Sequence, residues 1–286
     1  MSTTAGVGPD VARSAADLAD RVASSCGVRV GNPDDPADFR AAADVLQRIW
    51  NQPHGVPIPS EMLRAFAFTG NYVGMVHDGA DAVAVTCAFR TDHGALHSHI
   101  AGVLPAYQGR SIGYLLKLHQ RAWALSRGIA SISWTFDPLV RRNAHFNLVK
   151  LGAVATTFLP DFYGAMADQL NAGDRSDRLL VEWDLAATTP GSYLEVPPGS
   201  VRPLLSRGPD GEPVLSGDFD ASAAGASAWT ISVPGDIDRV KQTDRQLAVR
   251  WRMAVRSAMT AAFRNGLLLA GLDRDEAYVA RRRDAP

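Results

Sequence analysis

The apolar pattern changes period once, abruptly, across Val103-Leu-Pro-Ala-Tyr-Gln-Gly-Arg-Ser-Ile-Gly113. Leu96 to Leu104 reads as a strand. From Ser111 to Arg127 the residues Ile112, Leu115, Leu116, Leu118, Ala122 and Leu125 fall at helical spacing, and Gly128 ends the run. A strand that enters a helix through a tight glycine turn aims unpaired, partly positive amides at one point in space. Glycine also lets a phosphate approach the backbone closely. Gln108, Gly109, Arg110, Ser111, Ile112 and Gly113 would supply those amides, and Arg110 adds a full charge. On spacing alone, a phosphate cradle and an ordinary strand-to-helix turn fit equally well.

The elements around this switch predict a mixed α+β fold. Val28 to Val30 is a short strand, and Asp35-Pro36 starts a helix that runs through Phe39, Leu46 and Trp50. Asn51 to Pro59 reads as a loop, and Ser60 caps a short helix to Phe66. Strands Tyr72 to His77, Ala82 to Arg90 and Leu96 to Leu104 form hairpins turned by His77-Asp-Gly-Ala-Asp81 and Thr91-Asp-His-Gly94, with Asp and Gly at the corners. Ile129 to Phe136 is a strand stopped by Asp137-Pro138, Asn143 to Leu151 a second helix, and Val154 to Phe158 and Arg178 to Leu185 two more strands. Pro160 to Asp177 lies between them as a long loop or short helix. Residues 1 to 27 read as an extension, helical over Val11 to Ala23 or mobile. Residues 186 to 233 read as an irregular Pro/Gly/Ser-rich linker. A smaller α/β piece, 234 to 286, has a helix over Val240 to Arg264, Gly266, and strands Leu267 to Leu272 and Ala277 to Ala280. Its helix–Gly–strand order can be a degenerate half-copy of the 28 to 185 unit.

Composition closes several other routes. A formal net charge of -1 gives no field favouring nucleic acid or anionic membrane. Arg281-Arg282-Arg283 reads as a solvated tail. Cys26 and Cys87 have no metal-like spacing, so neither a zinc site nor a disulfide framework is expected, and Cys87 reads as a buried hydrophobe. No stretch is long and apolar enough for a membrane span, and the first 25 residues do not resemble a signal peptide. A cytoplasmic enzyme without a metal is the expectation.

With Val103-Leu-Pro105, Gln108 and Gly113 in this order, residues 28 to 185 resemble the GNAT superfamily of acyl-CoA-dependent N-acyltransferases, whose signature is Gln/Arg-x-x-Gly-x-Gly/Ala after a strand ending in Val-x-Pro. Ser111 stands where the first glycine is usual. The resemblance implies a mostly antiparallel sheet, flanked by helices, that splays open between the strands ending near Leu104 and Phe136. The cofactor would be acetyl-CoA or another acyl-CoA, its pyrophosphate on Gln108 to Gly113 and its pantetheine arm along Val103 and Leu104. The Val103 N–H would polarise the thioester carbonyl. Asn143 and Phe146 would add contacts from the second helix. Leu96-His-Ser-His99, Trp134-Thr-Phe-Asp-Pro-Leu139, Asn143-Ala-His-Phe-Asn147 and Asp161-Phe-Tyr-Gly164 are similar to a bacterial subgroup with a C-terminal extension, some members of which are associated with N-succinylamino acid racemases. This similarity points to succinyl-CoA as an alternative donor, to a small amino acid or related amine as acceptor, and to Trp134, Phe136 and Tyr163 as acceptor-side residues. Arg90, Arg141 or Arg142 would meet a carboxylate. A homodimer is compatible with all of this.

An amine nucleophile must shed a proton. Strict alternation puts His97, His99, Ala101 and Val103 on one strand face, and imidazole titrates in the useful range. His97 also falls where family members carry a glutamate base. Asp137, at the mouth of the splay, is the other candidate base, and a turn residue is its plainer role. The tyrosine acid usual in the family is replaced by Leu148, so the thiolate must take its proton elsewhere. A non-catalytic acyl-CoA-binding module and a protein lysine or N-terminal acetyltransferase are the alternatives.

Overall fold

In a computed structural model, residues 9–50, 56–164, 175–187, 192–197, 199–217 and 226–283 are described. Residues 1–8 of the expected extension, 51–55 and 165–174 of the expected loops, 188–191, 198 and 218–225 of the expected linker, and 284–286 lie outside the described residues. The chain divides into two compact units. Among the described residues, the first holds 9–50 and 56–134 with Asp184–Ala186, and the second holds 135–164, 175–183 and 187 onward.

The first unit runs α1 (Pro9–Cys26), β1 (Arg29–Gly31), α2 (Pro36–Trp50), α3 (Ser60–Phe68), β2 (Tyr72–Asp78), β3 (Asp81–Arg90), β4 (Leu96–Val103), a 3-10 turn (Pro105–Tyr107), α4 (Ile112–Leu125) and the start of β5 (Ser131–Phe136). Its strands lie in the order β1-β2-β3-β4-β5. The first four are antiparallel, and β5 is parallel to β4. The N-terminal segment is helical, with Ala15, Ala19 and Ala23 buried on one face at four-residue spacing. Asp35 accepts bonds from the amides of Ala37 and Asp38 at 2.7 and 2.9 Å, which caps α2 as its sequence predicts. Ser60 does not cap α3: Pro59 holds the cap position without a side-chain bond, and Ser60 is already helical. Two apolar layers flank the sheet. Phe39, Leu46, Leu63, Met75, Val85 and Cys87 pack beneath α2 and α3; Ala23, Val76, Ala84, Ile112 and Leu115 pack on the side of α1 and α4. Gly102 has no room for a side chain. A Cβ there would lie 2.7 Å from Ile49 Cδ1 and 2.7 Å from the Trp50 ring.

The second unit contains α5 (Arg141–Ala144), a π-helical turn (His145–Lys150), β6 (Val154–Leu159), β7 (Arg178–Asp184), β8 (Val201–Arg207), β9 (Pro213–Leu215), β10 (Ala228–Ile231), α6 (Ile237–Thr243), α7 (Arg245–Arg264), β11 (Leu267–Leu272) and β12 (Tyr278–Arg282). Its strand order is β7-β6-β11-β12-β10-β8-β9. Three readings change here. The linker expected over 186 to 233 holds three strands, because β10 pairs parallel with β8, and β8 antiparallel with β9. The helix expected from Val240 breaks at Asp244, whose carboxylate accepts the Leu247 amide at 2.8 Å and restarts the helix as α7. Arg281 and Arg282 belong to β12, opposite Leu268 and Leu267, rather than to a frayed tail. Among the described residues, no helix is long and apolar enough to cross a membrane.

Candidate active site

β4 and β5 pair at Leu96↔Ile132 and His97↔Ser133 and part beyond that point. On its other side β4 stays zipped to β3 through to Val103. The Leu104 amide donates to the Val83 carbonyl at 3.0 Å, so Leu104, Gly102 and Ile100 are the residues bonded to β3. Antiparallel geometry then turns the N–H and C=O of Val103 and Ala101 toward the opposite edge, where β5 has left. The Val103 carbonyl accepts the Gln108 side-chain amide at 3.2 Å. Leu104 does not share that edge: its amide is committed to β3, and its side chain is buried in the α2/α3 layer.

The turn into α4 is exposed from Gln108 to Ser111, while Ile112 is buried and anchors the helix start. Gly109 and Ser111 have φ of 78° and 61°. Both are left-handed, a conformation that glycine adopts freely and serine adopts at a cost of about 1 kcal/mol. The Arg110 guanidinium lies over the Tyr107 ring, 5.0 Å from its centroid. Val103 Cγ2 would be 3.8 Å from a Cβ at Gly113, so the Val103 side chain packs against the first turn of α4.

The alternation expected along β4 is interrupted. Cys87 pairs with Ile100 and Ala88 with Ser98, which leaves His99 as an extra residue in a bulge. Ser98 and Val103 therefore face α4, while Ile100 and Gly102 face α2. The two imidazoles group on the α2/α3 face around Phe89, their rings 5.3 Å (His97) and 5.9 Å (His99) from its ring. The structure thus brings His97 and His99 together but puts the Val103 side chain on the opposite face. Of Val103, only the peptide groups face the edge that β5 leaves. His97 Nδ1 lies 3.0 Å from Ser133 Oγ. Burial lowers the His97 pKa, and the charges of His99 and Lys117 lower it further; burial also lowers that of His99.

Sequence alone does not single out Lys117. It sits between Leu116 and Leu118 and shares a polar i, i+3, i+4 stripe with Gln120 and Arg121; that stripe was the available signal. It is 6 % exposed. Its Nζ donates to Ser98 Oγ at 2.9 Å and to Gln120 Oε1 at 3.2 Å, and lies 3.9 Å from the centroid of the Trp134 ring. Burial lowers its pKa to about 7. Trp134 is therefore buried under Lys117 on the α4 face rather than open to an acceptor.

No protein-family model and no curated protein matches the chain. Solved structures similar to it include the ribosomal-protein-S18-alanine N-acetyltransferase from Escherichia coli. That protein is 15 % identical over 58 % of this chain and 99 % of its own, at a TM-score of 0.45. A GNAT-family acetyltransferase from Streptococcus pneumoniae is 14 % identical over 54 % of this chain and 97 % of its own, at 0.44. A GNAT-family acetyltransferase from Elizabethkingia anophelis with acetyl-CoA bound is 11 % identical over 55 % and 98 %, at 0.42. Scores of this size leave the activity to be argued from the residues.

The remaining candidates lie in the second unit. Asp137 is not free to act as a base there. Both of its oxygens are held by Arg252, at 2.8 and 2.7 Å, and it caps the turn by accepting the Leu139 amide at 2.9 Å. Arg141 is paired with Glu276 at 2.8 Å. Phe136 and Leu148 are buried. Asn143 is exposed in the first turn of α5, and Phe146 is half-buried in the π-helical turn. Tyr163 is 41 % exposed, with its hydroxyl 3.3 Å from Thr135 Oγ1.

Proposed function

We propose that the chain is an acyl-CoA-dependent N-acyltransferase acting on the amine of a small amino acid or related metabolite. The observation that carries this reading is the parting of β4 from β5, which leaves the Val103 and Ala101 peptide groups on an edge unpaired among the described residues, and that edge leads directly into the exposed turn at the head of α4. A pantetheine arm carries two amides and can add to such an edge as a short strand. Its pyrophosphate would then reach Gly109 to Gly113 and Arg110, where first-turn amides and one guanidinium favour negative charge. The thioester would lie farther back along β4, within reach of the Val103 N–H as an oxyanion donor.

The base in this reading is His97. A tautomer with Nδ1–H donated to Ser133 leaves the Nε2 lone pair to take the proton of the attacking amine. The lowered pKa keeps the imidazole unprotonated at neutral pH. His99 is the second imidazole of the pair. The C–N bond forms as the C–S bond breaks, and the thiolate takes its proton from solvent, since Leu148 offers none. Asn143, Phe146 and Tyr163 lie in the second unit, and their roles as cofactor and acceptor contacts, like acetyl or succinyl as the acyl group, are what the sequence resemblance alone implies.

The test is thiol release from acetyl-CoA and succinyl-CoA with pooled amino acids. Turnover is expected, and His97→Ala should lower kcat/KM by roughly 100-fold or more. Stabilisation by CoA without turnover of any amine would leave a binding module, the reading that the buried Leu148 favours. Turnover of peptides alone would make the acceptor a protein. Absence of CoA binding would sink the proposal.

A further inference from the structure

Ser98 and Trp134 are the first residues of β4 and β5 beyond their last pair, so they mark the apex of the splay. Lys117 reaches both: its Nζ is bonded to Ser98 Oγ and lies against the Trp134 ring. Among the described residues, no carboxylate pairs with Lys117. A buried cation with no counter-charge is costly to keep, so its position across the sheet from His97 calls for a reason.

The groups around this apex can be named. His97 is faced by Phe89 from β3, Ser133 from β5 and His99 from its own strand, with Lys117 below it on α4. Lys117 is faced by Ser98 from β4, Trp134 from β5 and Gln120 from α4. The nearby titratable groups on α4 have other partners. His119 bonds Tyr72 of β2 and feels Asp20 of α1, and Arg121 bonds the Leu185 carbonyl. The apex therefore collects three basic groups.

We propose that Lys117 is a positioning residue of the acyl-transfer site, its ammonium set at the apex to work against a second positive charge on His97 and so keep that imidazole available as the base. This rests on the reading of His97 as base, but its electrostatic half can be tested without turnover. The two groups interact through the sheet, one on each face. Like charges in a poorly solvated place disfavour one another, so the group that is easier to deprotonate gives way. Below neutrality Lys117 is charged, and that is the range in which His97 would otherwise take its proton. Acyl transfer would thereby keep its base at a lower pH than an isolated histidine allows.

The experiment is an NMR titration of the His97 ring in the full chain, for wild type, Lys117→Met and Lys117→Arg. Methionine matches the lysine in length and removes the charge; arginine keeps it. The His97 titration should move to higher pH in Lys117→Met and stay near wild type in Lys117→Arg. The ratio of kcat/KM at about pH 6 to that at about pH 8 should fall roughly threefold to tenfold in Lys117→Met. An unmoved His97 titration in a folded Lys117→Met protein overturns the proposal. If Lys117→Arg does not fold, wild type decides: the His97 resonance must show a second inflection as Lys117 deprotonates, and a single smooth curve overturns the proposal. A His97 shift in a protein that turns over no acyl-CoA would sink the acyl-transfer reading while leaving the coupling standing.

Discussion

At the scale of the residue, Lys117 ties function to stability with a definite sign. Unfolded, its amine holds a proton up to its ordinary value of 10.5; folded, burial releases that proton near 7. Between those limits unfolding takes up a proton, so stability rises with pH, by up to about 1.4 kcal/mol per pH unit. The urea midpoint of the wild type should therefore climb from about pH 7 to about pH 9, while that of Lys117→Met should stay nearly flat. A flat wild-type profile would mean that the amine is solvated or paired. The stripe of Lys117, Gln120 and Arg121 was legible in the sequence, but a polar stripe on a helix reads as a solvated face. Its burial depends on packing that no local pattern encodes. His97 and His99 were legible as a pair, but the face they share was not. Nothing in the string His-Ser-His-Ile-Ala-Gly-Val marks a change of register, and the bulge at His99 exists only in the pairing with β3.

At the scale of the element, α7 places Arg252 and Arg256 one turn apart, both on carboxylates. Arg252 grips Asp137 at the end of β5. Arg256 bonds Asp177 and, at 2.9 Å, Asp161. Asp161, Ser176 and Asp177 in turn pin the Phe162–Tyr163 turn, through Phe162 N to Ser176 O at 3.0 Å and Tyr163 N to Ser176 Oγ at 3.0 Å. Arg252 is 3 % and Asp137 12 % exposed at the side chain. Truncating one partner strands a buried charge, and Arg252→Met should destabilise the protein by about 3 kcal/mol in urea unfolding. A loss under about 1 kcal/mol would show that water reaches the pair. The helix itself was legible from its period. Its anchoring was not, since Asp137 and Arg252 are 115 positions apart. The hairpins of β2 to β4 lie at the other extreme, because the Asp and Gly residues of their turns, Asp78-Gly79 and Asp92-His93-Gly94, fix them locally. The strands β8 to β10 escaped notice because Pro203, Gly and Ser carry little strand signal, and their pairing is long-range.

At the scale of the whole molecule, the expected α+β architecture with a C-terminal extension holds, and the likeness between the extension and the first unit can be stated in topological terms. In the first unit β4, α4 and β5 make a parallel crossover whose strands meet and then part. In the second, β10, the α6–α7 pair and β11 make a crossover of the same order, but β12 runs between its two strands, antiparallel to each. Residues Leu267 to Leu272 and Tyr278 to Arg282 were readable as strands. Which of them would fill the gap was not, because a strand's neighbours are set by the rest of the sheet. The consequence is one of stoichiometry. With β12 hydrogen-bonded on both sides, the second crossover offers no vacant edge for a ligand's amides, and titration calorimetry with CoA should saturate at about one equivalent per chain, whatever the kinship of the two crossovers.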